Sequence, residues 1–365
     1  MQNIIIVYGG KSCESDISVL TALSVNNAIT NEYATELVYL KDGKFFIGKK
    51  LQKISTYCPF ERKKLTEVNF KDGKMYKKNS RFSGKKIDCA VVCCHGGEGE
   101  NGCLAGLFEI AGVPYTSCGL LQSAVCMDKV FTKYLLRSFR LPTLPFRQYK
   151  EGDKTDFLSE ITYPCILKPA SLGSSIGIAF AENEQDAVQK LKETVVFDRK
   201  LLIEPALRDF REYTCAVFSD DGKTVCSQIE EVISEHNFYG FDEKYRAGNV
   251  KRVYPAEIPA AVESKIYRIC EKIYDLFEMK GVVRVDFLDD NGKIYVNEIN
   301  TVPGSLSWYL FKRHGYDLAS LVRCMIEEGI KKKKESDSIF CDFPSAVLSE
   351  FRAGGKGKYG GKSEG

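Results

Sequence analysis

Two largely apolar stretches, residues 282–288 and 293–299, separated by a short Asp-Asp-Asn-Gly link, leave little freedom in how they fold, because they read as the two strands of a hairpin. Arg284 and Asp286 are spaced i, i+2 in the first, and Glu298 and Asn300 in the second. That spacing puts each pair on one face of a strand. Val285, Phe287, Val296 and Ile299 imply a buried opposite face. The loop decides whether the two polar pairs share a side. A two-residue Asn291-Gly292 loop would oppose Asp286 to Asn297 and turn Glu298 away. A three-residue loop with Gly292 left-handed pairs Asp289 with Lys293 and brings all four polar side chains together. The three-residue loop is therefore expected. Asp286, Glu298 and Asn300 then form a set of hard oxygen ligands suited to Mg²⁺ or Mn²⁺ rather than zinc. The competing reading is a charged hairpin face paired to Lys or Arg elsewhere.

The 365 residues correspond to two or three domains, and 44% hydrophobic with 28% charged residues is ordinary globular composition. No apolar run approaches the roughly 20 residues that span a bilayer. The apolar start at 4–8 is too short for a signal-peptide core, so a cytoplasmic protein is expected. The fourteen cysteines contain no C-x-x-C and have only His95, His236 and His314 as company. They read as small buried hydrophobes in a reducing compartment.

Residues 3–8 read as a buried strand, Gly9-Gly10 as a break, and the next residues as a helix capped by Ser12 or Ser15. A second unit runs from a strand at 88–94 through a glycine loop into a helix at 103–111, with a short strand at 113–116. These define a parallel α/β domain over 1–124. Within it, 41–86 holds fifteen Lys/Arg against four Asp/Glu. With its Asp42-Gly43 and Asp72-Gly73 turns, this segment is expected to be a solvated, hairpin-rich decoration rather than a nucleic-acid patch. Further along, a helix is expected at 129–139, strands at 165–168, 176–181 and 201–204, and helices at 262–277 and 318–330. The glycine-rich end should be disordered.

Three glycine loops carry different weight. Gly97-Glu-Gly-Glu-Asn-Gly102 matches a dinucleotide pattern, but Glu98 and Glu100 would set two carboxylates beside a pyrophosphate. Gly10-Lys11-Ser12 lacks the earlier glycine of a P-loop, because Ile5 stands there. The loop from Lys168 to Gly177, with Gly173, Ser174 and Ser175, lies between two strands and could fold over a triphosphate as a lid.

Taken in order, Lys168 with Gly173-Ser174-Ser175, Glu204, Glu212, Arg284-Val-Asp286 and Glu298-Ile-Asn300-Thr-Val-Pro-Gly304 resemble an ATP-grasp carboxylate–amine ligase. The segment from Tyr8 to Ser18, the run from His95 to Gly102, and Met127-Asp128-Lys129 narrow the resemblance to the D-alanine–D-alanine ligase family, from about 4 to 330. It implies an ATP-grasp fold of mixed α/β and α+β class. The N-terminal domain would cover 1–124, a central subdomain 125–205, a C-terminal subdomain 206–332, and a tail 333–365.

It also implies residue roles. ATP would be held by Lys129, Lys168, the Gly173–Ser175 lid and Lys244. Glu204 and the backbone near Leu207 would read adenine, and Glu212 the ribose. Two Mg²⁺ or Mn²⁺ ions would sit at Asp286, Glu298 and Asn300. Glu14, His95, Arg284, Gly304, Tyr309 and Leu310 would meet the substrates, with Tyr245 on a closing loop at 238–245. The implied reaction joins two D-alanines through an acyl phosphate for peptidoglycan precursors, in a cytoplasmic homodimer. One departure from the family pattern stands out. Tyr309 occupies the position of an expected serine that would bond the N-terminal Glu. The second substrate is accordingly open among D-alanine, D-serine, D-lactate or another amine.

Overall fold

The computed structural model describes residues 1–79, 84–233 and 251–339, together with Leu348. Strand β1 (Asn3–Gly9) is buried from Ile4 onward. It lies between two parallel neighbours, β2 (Ala34–Lys41) and β7 (Cys89–Val92), as a continuous apolar run requires. Helix α1 (Ser15–Ile29) covers this sheet. The basic insertion is not a decoration. β3 (Lys44–Ile47), β4 (Thr66–Lys71), β5 (Lys74–Lys77) and β6 (Lys85–Lys86) continue the same sheet in the order β6-β5-β4-β3-β2-β1-β7. Charge here misleads because strands alternate. The lysines face water while Phe46, Ile47, Val68 and Met75 are buried. Both Asp-Gly turns form, each with two positive φ angles. The expected strand at 113–116 contributes only one bridge, Ala90 to Tyr115.

Helices α2 (Gly97–Glu100), α3 (Cys103–Ile110) and α4 (Leu120–Met127) lead to α5 (Lys129–Ser138). Asp128 caps α5 by accepting from the Val130 and Phe131 N–H groups. A four-stranded antiparallel sheet follows, built from β8 (Arg147–Lys150), β9 (Cys165–Pro169), β10 (Ala179–Ala181) and β11 (Lys200–Pro205), in the order β10-β9-β11-β8. Helix α6 (Glu184–Thr194) backs it. β10 starts later than expected because the glycine loop occupies the residues before it.

The third sheet contains β12 (Arg211–Asp220), β13 (Lys223–Cys226), β14 (Glu230–Ile233), β15 (Lys251–Val253), β16 (Val283–Asp290) and β17 (Lys293–Asn300). Its order is β15-β14-β12-β16-β17, with β13 beside β12. Helix α7 (Ala260–Leu276) packs on it. The hairpin departs from expectation. Asp290 pairs with Lys293 across a two-residue turn, with Asn291 at φ 50° and Gly292 at φ 87°. Asn-Gly suits that left-handed pair. The ladder then slips: Phe287 faces Val296, yet Asp286 faces Glu298. A bulge at Asn297, not a longer loop, therefore brings Arg284, Asp286, Glu298 and Asn300 to one face.

Helix α8 (Leu318–Asp337) begins with a capping box between Asp317 and Ser320 and outlasts the expected boundary at 332. Most of the expected tail lies outside the described residues. Leu321, Val322, Met325 and Ile326 of α8 share one apolar core with β1 and β7. No helix among the described residues is long and apolar enough to cross a membrane.

Gly281, which leads into β16, is the joint between the first and third sheets. Its φ is +69°, and a Cβ there would lie 2.0 Å from the Thr116 carbonyl oxygen. Its N–H donates to Glu328 at 2.7 Å and its carbonyl accepts from the Tyr274 hydroxyl at 3.0 Å. Gly281→Ala should cost about 2 kcal/mol or more, read as a lower thermal midpoint. An unchanged midpoint would show that the joint yields.

Candidate active site

A cavity opens between the second and third sheets. Its walls are apolar at Leu144, Ile166, Phe210, Val232, Phe287 and Leu288, with Leu207 and Glu212 at the rim. At its centre two lysines share one carboxylate. Glu204 on β11 is 1% exposed and pairs with Lys133 at 2.7 Å and with Lys168 on β9. Burial alone would raise the Glu204 carboxyl, but the two ammonium groups outweigh it and hold it near 2. Burial lowers the Lys133 ammonium, against the pull of Glu204. The Glu204 side chain is thus committed to lysines and is not free to read adenine. Lys133 was not anticipated, although it lies one helical turn from Lys129 on α5.

The expected phosphate ligands gather here. Lys168 also donates to Asn297 at 3.2 Å, so the bulged residue ties the hairpin to the second sheet. Lys129 donates to the Leu172 carbonyl at 2.7 Å and pairs with Glu298 at 3.3 Å. Gly173, Ser174 and Ser175 line the cavity, and both serines have φ near +55°. The loop reaches the first domain, where the Ser174 hydroxyl donates to Glu14. Glu14 precedes α1 without capping it, and neither Ser12 nor Ser15 does so; Ser12 instead donates to the His95 carbonyl at 2.6 Å.

His95 has a different task from the one expected. Both ring nitrogens are taken by protein groups. Nδ1 lies 2.7 Å from the Val302 carbonyl oxygen, which can only accept, so Nδ1 carries the proton. Nε2 then accepts from Thr21 Oγ1 at 2.9 Å, and burial, by lowering the ring's pKa, keeps it neutral. Thr21 Oγ1 in turn accepts from the Ser305 N–H at 3.2 Å. The ring therefore positions the turn after Gly304, where Ser305, Leu306 and Ser307 all have φ near +50°. Such a run costs non-glycine residues roughly 1 kcal/mol each or more and needs this support. Ser307 Oγ is buried with no hydrogen-bond partner among the described residues. Leu310 is buried and its carbonyl accepts from the Gln228 N–H, so its side chain belongs to the core. The dinucleotide reading of the Gly97–Gly102 loop fails on geometry. Glu98 accepts from the Lys11 N–H, and Glu100 from the Gly96 and Val302 N–H groups. Burial first, then the nearby Glu14 charge, raises the Glu100 carboxyl to about 7.

On the hairpin, Arg284 grips Asp286 with two hydrogen bonds of 2.7 and 2.9 Å. Burial opposes the Arg284 charge, and Asp286 more than restores it. Asn300 donates to Asp286 at 3.0 Å. Asp286 and Glu298 thus each take a cationic partner, Arg284 and Lys129. Two carboxylates and an amide on one face fit a hard divalent cation that takes its remaining ligands from phosphate or water. The Tyr309 hydroxyl points to Glu230, 3.1 Å from both carboxylate oxygens, rather than to Glu14. The larger ring carries the hydroxyl to a different acid, and Ser174 supplies the bond to Glu14. Lys244 and Tyr245, with the closing loop at 238–245, lie outside the described residues. Glu230 and Arg252 were missed, and nothing in their spacing could have found them.

Two sheets clamped over a slot of lysines, with a glycine-serine lid and acidic residues on a hairpin, define an ATP-grasp ligase. Residues 3–118 match the family profile described as D-ala D-ala ligase N-terminus, and 135–327 the one described as D-ala D-ala ligase C-terminus. The D-alanine–D-alanine ligase of Thermosipho melanesiensis is 34% identical over 94% of this chain and 97% of its own length. Among solved structures, the VanG D-Ala:D-Ser ligase from Enterococcus faecalis superposes with a TM-score of 0.79 at 26% identity, covering 90% of this chain and 99% of that one. A D-alanine–D-alanine ligase from Bacillus anthracis complexed with ATP superposes at 0.69 with 23% identity, over 92% and 100%. The chain belongs to the D-alanine–D-alanine ligase family.

Because Glu204 balances two buried lysines, Glu204→Gln should destabilise the protein by about 3 kcal/mol at neutral pH. The folded carboxyl lies below its ordinary 4.5. Its contribution is therefore complete above about pH 4.5 and is lost as pH falls toward 2. The gap in unfolding midpoint between the two proteins should narrow across that window. A gap constant down to pH 2.5 would contradict the charge assignment.

Proposed function

We propose that the chain joins two D-alanines at the expense of ATP, releasing ADP and phosphate, for peptidoglycan precursors. The observation that carries this reading is the continuity of one cavity from the Lys168–Glu204 slot to the Arg284–Asp286 pair, with Glu14 reached across the Ser174 loop.

The adenine ring suits the apolar end, with backbone near Leu207 and the Glu212 carboxylate at the rim for the ribose. Lys129 and Lys168 hold phosphate oxygens. Glu14 takes the ammonium of the first D-alanine, and the His95-supported turn at Gly304 seats its carboxylate. A carboxylate oxygen attacks the γ-phosphorus, the bond to the β-phosphate oxygen breaks, and ADP leaves. The neutral amine of the second D-alanine then attacks the carbonyl carbon of the acyl phosphate. Arg284 and the backbone near Gly304 offset the oxyanion, phosphate departs, and the amine loses its proton. Asp286, Glu298 and Asn300 would hold Mg²⁺ or Mn²⁺, which supplies positive charge where carboxylate and phosphate meet. A closed lid keeps water from the acyl phosphate. In this reading the enzyme acts in the cytoplasm as a homodimer, which should sediment at twice 41.0 kDa.

Coupled ADP release over a panel of D- and L-amino acids, with mass detection of products, tests the whole reading. ADP release should need ATP, a divalent cation and D-alanine together. Release without D-amino-acid dependence would remove D-alanine and leave the ATP-grasp ligase. A second reading, D-serine as acceptor, is favoured by Tyr309 and by the likeness to the Enterococcus faecalis enzyme; the product mass separates the two. Glu14→Gln should raise the D-alanine requirement by roughly 10- to 100-fold, the value of a charge-assisted bond, and leave the KM for ATP nearly unchanged. Equal D-alanine kinetics would refute the ammonium role.

A further inference from the structure

The cavity ends in a second ion pair that the reaction as described leaves idle. Glu230 on β14 is 0% exposed, an expensive place for a carboxylate unless it is well partnered. Its partners are Arg252 Nη1 of β15 at 2.8 Å, the Tyr309 hydroxyl and, at 3.5 Å, Thr214 Oγ1. Tyr254 packs edge-on against Tyr309, with ring centroids 5.3 Å apart. Arg252 itself lines the cavity and keeps 39% of its side chain accessible.

The two cavity arginines are in different states. Arg284 has two of its donors fixed on Asp286. Arg252 uses one, and its guanidinium makes no other hydrogen bond among the described residues. A guanidinium has five N–H donors in a planar fork, matched to a carboxylate. Glu230 fixes the orientation of that fork without occupying it.

Position says which substrate it faces. Arg284 of β16 pairs with Asn300, two residues before Val302, whose carbonyl accepts from His95. Arg252 of β15 lines the same cavity, with β14 and β12 between it and β16. Arg284 therefore stands between the Glu14 side of the cavity and the Tyr309–Arg252 side. If Arg284 marks the reacting carbonyl, the donor amino acid lies toward Glu14 and the acceptor toward Arg252.

We infer that Arg252, oriented by Glu230 and walled by Tyr309, binds the carboxylate of the acceptor amino acid. Glu230 is a positioning residue acting through Arg252. The inference rests on the ligase reading and assigns its acceptor class, a D-amino acid with a free carboxylate.

The test offers D-alanine as donor and a mixture of D-alanine and D-alaninamide as acceptors, and reads the ratio of acid to amide product by mass. The unaltered chain should favour the acid strongly. Arg252→Gln should lower that ratio by about 100-fold, as expected where a site loses its designed polar partner, with the KM for ATP unchanged. Arg252→Lys should recover part of the preference. Glu230→Gln should shift the ratio in the same direction by a smaller factor, and adding it to Arg252→Gln should lower the ratio little further, a non-additivity that mere misfolding would not produce. An unaltered product ratio in Arg252→Gln, or a parallel rise in the KM for ATP, would overturn the assignment. Absence of D-alanine-dependent ADP release in the unaltered chain would overturn the ligase reading, and this inference with it.

Discussion

One carboxylate between two lysines organises the slot between the second and third sheets. Glu204 cannot be buried alone, and neither can Lys133. Their pairing draws α5, β9 and β11 to one point. The pairing leaves an excess of one positive charge on the cavity wall, and Lys129 adds another beside Glu298. A polyphosphate entering this slot meets groups already desolvated and oriented, so little reorganisation remains when it binds. Asn297 extends the arrangement to the third sheet, because the bulge that aligns the hairpin also delivers its side chain to Lys168.

The first domain joins the site through pairs that are remote in sequence. Glu14 and Ser174 are 160 residues apart, His95 and Val302 207, and Ser305 and Thr21 284. The Glu14 side of the cavity thus exists only where the first domain meets both others. The left-handed turn at Ser305–Ser307 is intelligible in the same terms. It is an unfavourable local conformation stabilised by contacts from a different domain, which is how strain persists at functional sites.

Much of this was legible in the chain itself. Apolar runs fix β1, β7 and β16, and helix periodicity marks α7 and α8, because burial acts on patterns that span whole elements. The hairpin shows where such reasoning stops. Asp286 and Glu298 were expected on one face, with 286 opposite 296 through a longer loop; Asn-Gly chose its own two-residue turn and the ladder absorbed the offset at Asn297. The basic insertion was misjudged because net charge says nothing about which alternate residues face inward. Lys133 carried a faint signal, one turn from Lys129. Glu230 and Arg252 carried none, since their partnership depends on strand order in three dimensions.

The sharing of one core between β1, β7 and α8 has a consequence for synthesis. Residues 1–118 cannot finish their hydrophobic core when they leave the ribosome, because Leu321, Val322, Met325 and Ile326 have yet to be made. At roughly 5–20 residues per second, the exposed face of the first sheet waits tens of seconds for its closing helix. A chain stopped short of α8 would therefore lose the cover of its earliest-made domain as well as its last element.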